Sequence, residues 1–148
     1  MKERFSIKDV QPEAYTAMQA LEKYLKSSTI DPLYKELIKV RASQINGCAF
    51  CLDMHTRDAR NLGETEQRLY LLSAWRESPQ FSEEERVILA LTEEITLIHK
   101  RGLTSETYDK AIQHFGEAGT AQLIMMVVTI NSWNRISVAT HRVPGQKI

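Results

Sequence analysis

Both cysteines of this 148-residue chain lie in one stretch, QINGCAFCLDMHTRDARNLG, from Gln44 to Gly63. Cys48 and Cys51 have two residues between them, and His55 follows four positions after Cys51. On a helix these offsets put both sulfurs and the imidazole on one stripe. The thiolate is the reactive form of cysteine, and a helix N-terminus or a neighbouring base favours it. A thiol oxidised to sulfenic acid can be captured by a second thiol one turn away, closing a disulfide that a dithiol reopens. The same donors admit a second chemistry. Zinc takes cysteine and histidine ligands but needs a fourth, and Glu36 is the candidate. A zinc-binding or redox-sensing interaction module without turnover therefore stands as the alternative to a redox enzyme.

Two arguments compete over which sulfur attacks. Cys48 falls nearest the expected helix start, where the dipole is worth below about 1 kcal/mol at an exposed site. Cys51 is one turn from His55, whereas Cys48 is two, and help from a general base is worth roughly a hundredfold, near 3 kcal/mol. The larger effect makes Cys51 the nucleophile and Cys48 the resolving thiol. Glu36 enters because Leu33, Glu36, Leu37 and Val40 share one helical face. A carboxylate on an apolar stripe is costly to bury without a partner. His55 on the next helix is such a partner, and Glu36 would orient it; pairing with Lys35 or Lys39 is the plainer reading.

The elements that must position these groups are helical. Apolar residues recur at spacings of three and four, and no long run alternates with period two. Ala17, Met18, Leu21, Tyr24 and Leu25 mark a helix from Ala14 to Lys26. Asp31 is an expected N-cap with Pro32 in the first helical position, and Asn46-Gly47 ends that helix. A partner helix is expected from about Ala49 to Leu62, stopped by Gly63. ETEQRLYLLSAW predicts a third. SEEERVILALTEEITLIHKRG predicts another, with Ser82 and Glu85 as a capping box and Gly102 as its end. TSETYDKAIQHFG reads as a short helix and EAGTAQLIMMVVTINSWNRISVAT as a final apolar one. His99 lies in the last turn of its expected helix, before Gly102, where it favours the helix dipole; His114 and His141 have no chemical companions nearby in sequence and are read as surface or packing residues. Trp133, with Asn131, Asn134 and Arg135, is a candidate for lining a site or a subunit contact. The expected fold is one all-α domain over residues 1–148, with a helix-turn-helix that carries the cysteine pair at the start of its second helix.

Composition narrows the function. Nineteen Lys and Arg balance nineteen Asp and Glu, a formal net charge of zero. That argues against a nucleic-acid binder, which usually carries a basic excess, and against a polybasic membrane anchor. The N-terminal MKERFSIKDVQPEAY lacks a signal-peptide core, and LIMMVVTI falls far short of the roughly 20 apolar residues that span a bilayer. The expectation is a soluble, cytoplasmic protein, where a lone Cys-x-x-Cys is catalytic or metal-binding more often than a structural staple. LIMMVVTI is apolar nearly all round, so more than one of its sides should be covered.

These residues resemble a known family. Glu36, eleven intervening residues, Cys48-Ala-Phe-Cys51, three more and His55 are similar to the signature of the AhpD-like alkylhydroperoxidases, within the carboxymuconolactone decarboxylase superfamily. ELIKVRASQINGCAFCLDMHTRDAR resembles the family core, and INSWNRISVATHRVPG its C-terminal helix. The resemblance implies a thiol-dependent peroxidase, with Cys51 peroxidatic, Cys48 resolving, and His55 and Glu36 as the proton relay. It implies no metal, haem or flavin. It also implies an external dithiol reductant, of the lipoyl-protein type used by relatives or thioredoxin-like, and a homo-oligomer, trimer or hexamer. Well-studied alkylhydroperoxidases carry a histidine just before the second cysteine, where this chain has Phe50. The superfamily's decarboxylases lack the cysteine pair, so their reaction fits poorly.

Overall fold

Asp31 starts the helix on which the site depends. Its side chain accepts from the Leu33 N–H at 2.7 Å, and Pro32 occupies the first helical position, where a missing N–H costs nothing. In the computed structural model, which describes residues 2–145, the elements are α1 (Ile7–Val10), α2 (Pro12–Lys26), α3 (Pro32–Asn46), α4 (Ala49–Asn61) and α5 (Glu66–Leu71), then a 3-10 segment (Leu72–Glu77), α6 (Glu83–Thr96), α7 (Ile98–Arg101) and α8 (Ser105–Thr140). No strand occurs among the described residues. The all-α expectation and the helix-turn-helix with its cysteine pair at the second helix's start both match.

The core lies where α3, α6 and α8 meet, and α4 packs against α3. Leu37, Ile38 and Val40 of α3, Ile88, Leu89 and Leu91 of α6, and Leu123, Met126 and Val127 of α8 are fully buried. Each such side chain contributes about 1.5–3 kcal/mol relative to exposure. An ion cluster ties the periphery. Glu93 of α6 accepts from Arg41 at 2.7 Å and from the Trp75 indole at 2.9 Å, and also pairs with Arg76. Burial pushes the Glu93 carboxyl up, but the Arg76, Trp75 and Arg41 hydrogen bonds outweigh it and hold the group below its ordinary value.

Three boundaries differ from the sequence pattern. ETEQRLYLLSAW is helical only to Leu71 and then tightens into 3-10 turns, with Ala74 off helical geometry (φ −120°, ψ 27°); this lets Trp75 reach Glu93. The segment after Ser82 begins with the expected capping box but breaks at Leu97 (φ −99°, ψ 40°) before α7. The expected division of the C-terminal stretch holds: within α8 the helix is broken at Gly116, whose φ of 65° and ψ of 179° suit glycine alone, between a short first segment and a long apolar second one. The first expected helix starts at Pro12 and follows the short α1.

The N-terminal arm is thinly held. Within α1 no residue is buried, and within α2 only Leu25 is. The arm rests on α8 through Tyr15, edge-on to Trp133 at 5.6 Å, and through Glu22, which accepts from the Trp133 indole at 2.9 Å. Phe5 and Val10 remain about half exposed. No described helix is long and apolar enough to cross a membrane.

Candidate functional site

Gly47 sets the geometry of the cysteine pair. Its left-handed φ of 64° caps α3 and turns the chain at once, so that Cys48, in extended backbone, caps α4. Cys48 Sγ accepts from the Cys51 N–H at 3.3 Å, taking one of the unpaired donors of the helix start. Cys48 and Cys51 are joined as a disulfide, with their Cα atoms 5.3 Å apart, and both are 2% exposed or less. α3 and α4 run side by side from this turn.

That packing brings Glu36 to His55. Glu36 Oε2 is 2.8 Å from His55 Nδ1, while Oε1 receives the Lys39 ammonium at 2.9 Å. The histidine pairing and the plainer lysine pairing therefore coexist. Lys35 turns away and donates to the Leu25 and Ser28 carbonyls. Burial pushes the Glu36 carboxyl up; the His55 hydrogen bond and the Lys39 charge more than reverse it, so its pKa lies below the ordinary carboxylate value. Glu36 is thus an anion at neutral pH, able only to accept. His55 then carries its proton on Nδ1 and leaves Nε2 as the basic nitrogen.

A buried amide network anchors the turn. Asn46 Nδ2 donates to Asn131 Oδ1 and Asn134 Oδ1, each at 2.9 Å. Asn134 donates to Ser43 and Asn131 to Thr96, both at 3.0 Å. The Asn131 and Asn134 of the sequence pattern thus serve the site from beneath, while Trp133 lines it and Arg135 only braces Asn131.

Two cavities flank the disulfide. The larger, about 330 Å³, is lined by Cys51 and His55, with Phe50, Met54, Trp133 and Arg142 among its walls. The smaller, about 210 Å³, is lined by Cys48, with Val138 and His141. Phe50, where a second histidine is expected from the resemblance, is buried, and the Arg142 guanidinium lies 4.2 Å over its ring. His141 and Arg142 escape a reading of the local motif because they lie some ninety residues away and only the return of α8 brings them in. A roomier cleft of about 400 Å³ beside Arg76 and Glu94 has no cysteine or histidine among its described lining residues.

Glu36, His55 and exposed Asp58 have donor atoms within 4.8 Å of one another, and neither cysteine belongs to that group. While the sulfurs are bonded to each other, the four-donor set of Cys48, Cys51, His55 and Glu36 that zinc would use is not assembled.

Residues 12–94 match the carboxymuconolactone decarboxylase family. The uncharacterized protein YdfG of Bacillus subtilis is 48% identical over 139 residues, covering 94% of this chain and 95% of that protein. A crystal structure of a protein of unknown function from Agrobacterium tumefaciens, provisionally assigned as the antioxidant defence protein AhpD, superposes with a TM-score of 0.94 at 38% identity, over 99% of this chain and all of that one. An uncharacterized peroxidase-related protein from Silicibacter shares the fold, with a TM-score of 0.79 at 24% identity, over 91% of this chain and 72% of that one.

Proposed function

The chain belongs to the carboxymuconolactone decarboxylase family, to its AhpD-like branch, and from that premise we propose that it is a thiol peroxidase reducing alkyl hydroperoxides. The Cys51 thiolate attacks the terminal peroxide oxygen. The O–O bond breaks, the alcohol leaves with a proton, and Cys51 becomes a sulfenic acid. Cys48 attacks that sulfur, water leaves, and the disulfide forms. An external dithiol, lipoyl-borne or thioredoxin-like, then restores both thiols and is itself oxidised.

One observation carries this reading: the closed Cys48–Cys51 pair shares its surroundings with a histidine held by a buried carboxylate. His55 takes the Cys51 proton and returns it to the departing alkoxide, while Glu36 keeps the imidazole in the required tautomer. With Phe50 in place of a second histidine, Glu36 and His55 are the whole relay. Phe50, Met54 and Trp133 give the larger cavity an apolar wall suited to an alkyl or aromatic body. The reading places the cycle in the cytoplasm, where reductants hold dithiols open. It also includes a homo-oligomer, a trimer or hexamer, with the thinly held N-terminal arm reaching a neighbouring copy.

The test is peroxide consumption by the reduced protein with a panel of dithiols, followed by mass spectrometry of the chain. Turnover with loss of two hydrogens on oxidation supports the proposal. One tightly held zinc per chain, with thiols resistant to peroxide until chelation, would establish the metal module instead.

A further inference from the structure

The disulfide is approached from two sides that differ in chemistry. Cys51 lines the larger cavity with His55, and Cys48 does not. Cys48 lines the smaller one with His141, and Cys51 does not. Phe50, Ser137 and Arg142 line both and form the partition, stiffened by the stacking of the guanidinium on the ring.

The smaller mouth has a titratable group of its own, in an unusual place. His141 caps α8 with φ 57° and ψ 44°, the one non-glycine with positive φ among the described residues. Glycine or asparagine usually fills such a position, and histidine there carries a backbone cost. Strained residues cluster at sites of function, where the surroundings hold them in place. No described side chain pairs with the ring, in contrast to His55 and His114. Among the charged groups of the neighbouring elements, Arg142 lines the same cavity, the Arg4 guanidinium donates to the Ala139 carbonyl at 3.0 Å, and Asp53 of α4 accepts from the Gly145 N–H at 3.0 Å. The lining is otherwise mostly apolar, with Ala49 and Val138 at the rim, both exposed.

We infer that the reducing dithiol enters by this second mouth, attacks Cys48, and gives its proton to His141. The inference rests on the peroxidase reading above. The first thiol loses its proton to the imidazole, and its thiolate attacks Cys48 Sγ. The Cys48–Cys51 bond breaks, and its electron pair leaves on Cys51, beside His55. The second thiol then attacks the reductant sulfur of the mixed disulfide. Cys48 departs and takes the proton held on His141, while the second thiol's proton reaches Cys51 through solvent. One dithiol is oxidised and two cysteines are reduced. Peroxide and reductant thus use separate doors and separate histidines.

The two half-reactions can be timed apart by rapid mixing of the full chain, oxidised protein with dithiothreitol and reduced protein with a hydroperoxide. His141→Asn, which keeps a residue suited to the left-handed cap, should slow reduction at pH 7 by at least about tenfold. The deficit should vanish above about pH 9, where an ordinary thiol is already ionised. Its oxidation by peroxide should stay within twofold. Val138→Trp, at an exposed rim position, should slow reduction at every pH. A His141→Asn deficit that is constant with pH or equal in both half-reactions would overturn the inference, as would a Val138→Trp protein reduced at the normal rate. If peroxide fails to oxidise even the unaltered chain, the peroxidase reading falls, while reduction of its existing disulfide still decides the question of the mouths.

Discussion

His55 Nδ1 and Glu36 Oε2 stand 2.8 Å apart, across nineteen residues of chain and the α3–α4 turn, with both side chains buried. The carboxylate has a second partner in Lys39, so removing its charge disturbs the orientation of the imidazole more than the packing of the helices.

Glu36→Gln should therefore leave the fold intact and slow peroxide attack on the order of a hundredfold, since an amide can present its N–H to Nδ1 and impose the wrong tautomer. Stopped-flow loss of thiols, with circular dichroism as the control, measures both parts. Unchanged attack would make Glu36 a structural anchor only.

Single cysteine variants separate the roles of the two sulfurs. Cys48→Ser should accumulate a sulfenic acid on Cys51 that a trapping reagent labels after stoichiometric peroxide. Cys51→Ser should react far more slowly at Cys48. The opposite pattern would make Cys48 the nucleophile and leave His55 with a structural role on the oxidative side.

Acid sensitivity follows from the sign of the Glu36 shift. Its folded-state pKa lies below the ordinary value of 4.5. Between the two values the unfolded chain binds more protons, so the group's stabilising contribution is complete above about pH 4.5 and is lost as pH falls through the folded value. Glu93 is shifted in the same direction and adds to the loss. Urea unfolding between pH 3 and 7 should show stability falling on the acid side, less steeply in Glu36→Gln than in the unaltered protein. A slope of the same steepness in both would remove Glu36 from the account.

The assembly proposal predicts at least three copies per particle by light scattering at micromolar concentration. Deleting residues 1–11, which hold exposed Phe5 and Val10, should weaken that association without unfolding the core. A monomer would end the proposal.

Much of this architecture is legible from residues that act locally. Asp31-Pro32, the Ser82/Glu85 capping box and Gly47 each fix a helix end through their own side chain or backbone, and each does so here. The stripe of Cys48, Cys51 and His55 follows from helical spacing, and Glu36 was detectable as a carboxylate on an apolar face. What escapes is set by distant partners. Trp75 leaves the helical pattern to reach Glu93, eighteen residues on. His141 and Arg142 adjoin the cysteines only because α8 passes behind the α3–α4 turn, anchored there by the asparagine network. No periodicity within one segment carries that information.

The closeness of Cys48 and Cys51 in sequence has a thermodynamic consequence. A cross-link restrains the unfolded chain according to the size of the ring it closes, and a ring of four residues removes only about 2 kcal/mol of loop entropy, against nearly 5 for a hundred-residue ring. The glycine turn, the amide network and the apolar core all lie outside that ring. Opening the cross-link would thus release about 2 kcal/mol of restraint on the unfolded chain, less than half of what a hundred-residue ring would forfeit.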